Sequence, residues 1–288
     1  MPVGHYENFP VASLLLPRSL RRQVECLYRF ARSADDFADL PGLEDASRLA
    51  YLGQYRTQLQ RIADGLTPSL PLFVELDAVI RGQNLPLEPF VELLDAFTQD
   101  VTRKRYATHC EVLAYCSKSA NPVGRLVLHL YKAASPVNLA HSDRICSALQ
   151  LINFAQDVAL DWNIGRVYLP QEDLTRFGVS EKQIQAQRAD SNWSSLMRFQ
   201  TVRARELLLA GAPLAWSLGG RIGIELRMVV CGGLAILKKI DHANGDVFQR
   251  RPELAAADWP RLLLRSLFAG IPRPRPSEPE AASALPRC

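Results

Sequence analysis

Residues 149–162 read LQLINFAQDVALDW, and this stretch decides the fold. Gln150, Asn153, Asp157 and Asp161 stand at i, i+3, i+7 and i+11, which lines them up along one face of an α-helix. Apart from Gln156, every remaining position is apolar. A solvated helix has the opposite pattern, a broad polar face with an apolar stripe. A narrow polar stripe on an otherwise apolar helix therefore predicts a helix buried on nearly every side. Residues 24–39, VECLYRFARSADDFAD, repeat the arrangement. Tyr28, Arg32, Asp35 and Asp39 fall at i, i+4, i+7 and i+11, with Asp36 beside them. Around that stripe stand Val24, Leu27, Phe30, Phe37 and the small residues Cys26, Ala31, Ala34 and Ala38.

Buried carboxylates without partners are costly enough that they protonate or find cations. Two acidic stripes on different helices thus suggest carboxylates converging across a cavity onto hard cations. Oxygen-only donors with open positions suit Mg²⁺, which keeps waters and accepts phosphate oxygens as further ligands. The competing reading is plainer. Asp35, Asp36 and Asp39 would form an exposed acidic patch, and Asp157 and Asp161 would pair with nearby arginines. The D-D-x-x-D run is too short to decide alone; two clusters, each with polar residues in register, weigh toward the cavity.

The rest of the chain fits an all-α protein. Its 288 residues are 48% hydrophobic and 22% charged, which suits a packed core and argues against wholesale disorder. Helical spacing recurs at about 20–38, 44–64, 72–81, 87–101, 109–118, 121–133, 142–162, 180–186, 192–218 and 221–243, whereas period-two strands are hard to find. Gly165 to Asp173, GRVYLPQED, reads as an irregular connection. Residues 1–270 are expected to form one domain, and the Pro- and Arg-rich residues 271–288 a disordered tail. A net charge of +4 without a concentrated basic patch gives no reason to invoke nucleic acid. The nearest approach to a spanning segment, Ile222 to Leu237, is broken by Glu225 and Arg227. MPVGHYENFP lacks the basic start and apolar run of a signal peptide. A cytoplasmic protein is expected, with peripheral contact at the inner membrane face as an option. Arg18, Arg21 and Arg22 lie at a helix start, as a solvated face or as a basic contact to lipid. The six cysteines form no C-x-x-C pair and read as reduced, mostly buried thiols.

Four motifs carry a resemblance. Arg32-Ser-Ala-Asp35-Asp36-Phe-Ala-Asp39, Tyr115-Cys116, Asn153-Phe-Ala-Gln156-Asp157-Val-Ala-Leu-Asp161 and Gly165-Arg166-Val-Tyr168-Leu169-Pro170 resemble the squalene/phytoene synthase family, in order and separation, across about residues 5–250. The resemblance implies the isoprenoid synthase fold, a single helical domain around a central cavity. It implies a prenyl diphosphate held through more than one Mg²⁺ by Asp35, Asp36, Asp39, Asn153, Asp157 and Asp161. His5, Arg32, Gln150, Arg166 and Asp100 match polar positions around the diphosphate and cavity wall. Tyr28, Tyr115, Gln156 and Tyr168 match positions about the reacting head, where aromatic faces can stabilise a cation.

Some positions depart from the wider family. Gln156 stands where condensing members usually have arginine, and Ser119 to Gly124 replaces a Gly-rich stretch. Gly4 to Ser13 differs from the usual start. With Asp161-Trp162-Asn163, these departures resemble the hydroxysqualene synthase subgroup. That resemblance implies ionisation of presqualene diphosphate, rearrangement and capture by water, without NADPH. A neutral Gln156 removes cationic provision for a second diphosphate; it could hold a water, or be merely a tolerated neighbour. Two alternatives stand beside this reading. One is head-to-head condensation of prenyl diphosphates; the other is a non-catalytic helical scaffold, against which both intact aspartate motifs argue.

Overall fold

Proline and short polar side chains set where many of the helices begin. The computed structural model describes residues 16–39 and 42–268, so His5 and the 271–288 tail lie outside the described residues. The helices are α1 (Arg18–Asp39), α2 (Asp45–Ala63), α3 (Pro71–Gln83), α4 (Glu88–Thr102), α5 (His109–Ser119), α6 (Asn121–Leu130) and α7 (Pro136–Gln156). They continue with α8 (Val158–Asn163), α9 (Gln171–Arg176), α10 (Glu181–Gln185), α11 (Ser191–Gly211), α12 (Leu214–Ser217), α13 (Gly220–His242) and α14 (Asp258–Phe268). Pro71, Pro89, Pro122 and Pro136 occupy the first two positions of their helices, where a missing N–H costs nothing. Thr108, Ser135 and Asp190 cap α5, α7 and α11 by accepting a backbone N–H. Among the described residues there is no strand, only an isolated parallel bridge between Arg105 and Val167.

Two packed clusters frame the interior. One gathers α1 to α4 around Phe30, Phe73, Phe90 and Tyr55, whose rings meet edge-on or stacked. The other gathers α7, α11 and α13 around Ile152, Trp193, Leu208 and Ile236. Helix α11 crosses α7 at Gly211, where a Cβ would stand 2.7 Å from the His141 carbonyl oxygen and 2.9 Å from the Ile145 nitrogen. Only glycine admits that approach of two backbones.

The element boundaries differ from expectation in four places. The helix expected over 142–162 starts earlier, because Ser135 and Pro136 form an N-terminus, and it is interrupted at Asp157 (φ −101°, ψ 14°). The stretch expected as one helix over 192–218 divides before Leu214, where Pro213 has no N–H to continue the ladder. A short helix, α9, forms inside the expected irregular connection, and α14 was not expected at all. Cys26, Cys116, Cys146 and Cys231 are free thiols as expected. Cys110 lies exposed on the first turn of α5. No described helix is long and apolar enough to cross a membrane.

Candidate active site

The two polar stripes meet at one cavity of about 600 Å³. Helix α1 contributes Tyr28, Arg32 and Asp35; α7 contributes Gln150 and Asn153, and Asp157 follows at its end; Tyr115 enters from α5. The remaining wall is largely apolar, including Phe30, Leu93, Phe97, Leu126, Leu149 and Ile236. The cavity thus spans the seam between the two packed clusters, with a polar group from each side.

The acidic groups are compensated by arginines. On α1, Arg32 reaches Asp35 (3.4 Å) and Asp36 (2.9 Å). Asp36 is exposed and does not line the cavity, and Asp39 closes α1. Across the cavity, Arg251 grips Asp157 with two parallel bonds, Nε to Oδ1 and Nη2 to Oδ2, the latter 3.1 Å. Arg251 escapes sequence reasoning. It lies 94 residues from Asp157, in a segment without helical periodicity, and only the carboxylate's need for a cation hints at it. Asp35 and Asp157 therefore both face the cavity and are both paired with arginines. Among the described residues, no three Asp, Glu, His or Cys side chains gather on a single metal-binding point. The donor chemistry nonetheless fits a hard divalent cation. Asp35, Asn153 and Asp157 offer only oxygen-bearing side chains to the cavity, at positions open to further oxygen ligands.

Behind Tyr115 lies a second layer. Asp100, only 3% exposed, accepts the Tyr115 hydroxyl on Oδ2 (2.6 Å) and the Tyr168 hydroxyl on Oδ1 (2.9 Å). Tyr168 stacks on Phe154 with ring centroids 3.9 Å apart, and Tyr106 stacks on its other side. Burial raises Tyr115 and Tyr168 well above the ordinary phenol range, reinforced at Tyr115 by Tyr168 and Asp100 and at Tyr168 by Asp100. Both stay neutral and donate. Arg166 and Lys104 donate to the Asp100 backbone carbonyl, and burial followed by the nearby Arg166 charge lowers the Lys104 ammonium.

This layering sets the candidate residues at different depths. Asp100 does not line the cavity; as a carboxylate behind Tyr115 it orients phenols, a role that suits its charge better than meeting an anion. Arg166 and Tyr168, each 7% exposed, belong to the same rear layer. Gln156 does not reach the cavity either: it is 2% exposed and donates its amide to the Pro252 carbonyl. Its place off the stripe explains this, since it sits about 100° around the helix from Asp157. Asp161 is not among the lining residues.

Comparison with known proteins agrees with the architecture. The squalene/phytoene synthase family profile matches residues 3–258. Hydroxysqualene synthase from Rhodopseudomonas palustris is 33% identical over 225 residues, covering 77% of this chain and 75% of the relative. Phytoene synthase from Arthrospira platensis is 28% identical over 258 residues, covering 85% and 83%. Among solved structures, squalene synthase HpnC from Alicyclobacillus acidocaldarius superimposes with a TM-score of 0.77 at 36% identity, covering 83% of this chain and 90% of that one.

Proposed function

The chain belongs to the squalene/phytoene synthase family, prenyl-diphosphate-processing enzymes with the isoprenoid synthase fold, and on that premise we propose that it is a hydroxysqualene synthase. The observation that carries this reading is the delivery of two polar stripes to one largely apolar cavity. Such a site suits a molecule with a charged head and a long hydrocarbon body.

In this reading the substrate is presqualene diphosphate. Its carbon–oxygen bond breaks with the electron pair leaving on diphosphate. The carbocation rearranges within the apolar wall, and water adds its oxygen and gives up a proton. Hydroxysqualene and diphosphate result. No electrons are gained or lost, so no nicotinamide enters the balance. In this reading Arg32 would orient the phosphate oxygens, and Asp35, Asn153 and Asp157 would hold Mg²⁺. Bound magnesium would neutralise charge developing on the departing diphosphate. Tyr28 and Tyr115 offer aromatic faces to the cation, while the apolar wall limits premature capture by water. Because the Tyr115 hydroxyl is committed to Asp100, the ring rather than a phenolate is what it brings to the cavity.

Similarity to phytoene synthases supports a second reading, head-to-head condensation. Incubation of the purified protein with Mg²⁺ and presqualene diphosphate, without NADPH, separates the two. Hydroxysqualene is the expected product; its absence, alongside consumption of farnesyl diphosphate alone, sinks the first reading. Asp35→Asn and Asp157→Asn are each expected to lower turnover at least about a hundredfold, with helical circular dichroism retained. Full activity in both variants would overturn the assignment of the two stripes.

A further inference from the structure

Two consecutive residues around the end of α7 grip two consecutive residues of a distant segment. Asp157 holds the Arg251 guanidinium through both carboxylate oxygens, and Gln156 donates its side-chain amide to the carbonyl of Pro252. The ion pair is partly buried, with side-chain exposures of 23% for Asp157 and 22% for Arg251. Gln156 and Pro252 are both buried. Further along, the segment is tied to α13 by Lys239, whose ammonium reaches the Glu253 carbonyl and the Asp258 carboxylate. The bond from Gln156 is therefore the neutral half of the clasp that fastens this segment to α7, and the ion pair is the charged half.

We propose that Gln156 is a positioning residue that, through Pro252, holds Arg251 on Asp157 as an internal counter-ion which a divalent cation must displace. The inference rests on the reading of Asp157 as a cation ligand. Arg251 uses the same two oxygens that a cation would approach. Placing a second positive centre on one partly buried carboxylate sets the two cations against each other. Pro252 makes the clasp stiff, because its fixed φ limits how far Arg251 can swing while the Gln156 bond is intact. A neutral amide suits the position. An arginine there would add another cation beside Arg251, whereas glutamine donates the bond without charge. The departure at residue 156 thus acquires a physical role away from the cavity surface.

The test is Mn²⁺ binding to the full, substrate-free chain, followed by electron paramagnetic resonance. Arg251→Gln is expected to tighten the cation site on the order of tenfold by removing the competitor. Gln156→Ala is expected to tighten it in the same direction. The double variant should bind no more tightly than Arg251→Gln alone, because Gln156 acts through Arg251. A residue that merely supported the fold would not give that dependence. Trypsin provides a second readout: cleavage after Arg250 should accelerate in Gln156→Ala while the thermal melt remains cooperative. Unchanged or weaker Mn²⁺ binding in Arg251→Gln overturns the counter-ion proposal, as do additive effects of the two substitutions. Asp157→Asn separates the levels. If it leaves Mn²⁺ binding unchanged, the ligand reading and the proposal fall together. If it weakens binding but Arg251→Gln does not tighten it, the proposal alone falls.

Discussion

Replacing Asp100 by asparagine probes the rear wall of the cavity with a change of one atom type. Tyr115 and Tyr168 each donate to a different oxygen of this carboxylate, at 2.6 and 2.9 Å. Asparagine retains one acceptor and turns the other into an NH₂ donor, so one buried phenol faces a donor. Losing a charge-assisted bond costs about 1.5–3 kcal/mol, and a buried hydroxyl without an acceptor adds about 1–3 kcal/mol. Removing a buried charge offsets part of this, leaving a net loss of about 3 kcal/mol. Tyr168→Phe in the wild-type background leaves the carboxylate its Tyr115 donor and should cost about 1–2 kcal/mol. In the Asp100→Asn background, the choice of tyrosine matters: removing the phenol that now lacks an acceptor should cost almost nothing. Urea unfolding followed by far-ultraviolet circular dichroism, over Asp100→Asn, both Tyr→Phe variants and the two double variants, measures the coupling. At least one cycle should show coupling of about 1 kcal/mol or more. An Asp100→Asn loss below about 0.5 kcal/mol, the size typical of surface changes, or additivity in both cycles, would refute the shared-acceptor account.

The same tyrosines make a prediction for alkaline pH. Their folded-state values are raised, so the unfolded chain loses these protons first and binds fewer of them above about pH 10. Stability is unaffected by them below that pH and falls above it, by up to about 1.4 kcal/mol per pH unit for each phenol; Tyr115→Phe and Tyr168→Phe should each flatten the decline in urea titrations, and unchanged slopes would count against burial of neutral phenols. Two glycines give a contrast in thermal melts. Gly211→Ala forces a methyl against the α7 backbone and should cost about 2 kcal/mol. Gly53→Ala lies within α2 with nothing within 4 Å of the added Cβ and should stabilise by about 0.5–1 kcal/mol. Equal shifts for both would undo the close-approach argument.

The fold was legible where period and punctuation agree. The apolar surround of Asn153 and Asp157 predicts a buried helix, and α7 lies against α11 and α13 with Ile152 in their common core. What escaped was local. The break at Asp157 leaves the periodicity of side chains intact, because the Asp157 N–H still reaches the Asn153 carbonyl and the Asp161 N–H the Asp157 carbonyl. A hydrophobic period therefore reads through the interruption. Helix α9 is only six residues long, too short for a period to register, and follows Pro170 inside a stretch that looks like loop. Helix α14 hides for another reason: Leu263, Leu264 and Leu267 remain exposed while Leu262 is buried, so its apolar residues do not mark one inner face.

Helical spacing assigns a residue to a face, but not to a depth, and the candidate site differs from its sequence reading mainly in depth. Tyr115 lines the cavity, while Asp100, Arg166 and Tyr168 support it from behind. Their residue types alone are compatible with either layer; what separates them is who accepts whose proton. Charge balance adds what spacing omits. A partly buried Asp157 needs a cation when no metal is bound, and on energetic grounds some arginine had to be near it. Which one was invisible, because Arg251 arrives through a turn and not along a helix face. Pairing with arginine and service as a metal ligand are therefore not rival fates for this carboxylate. A group strong enough to hold a divalent cation must be held by something in its absence, and the strength of that hold sets how readily the cation can enter.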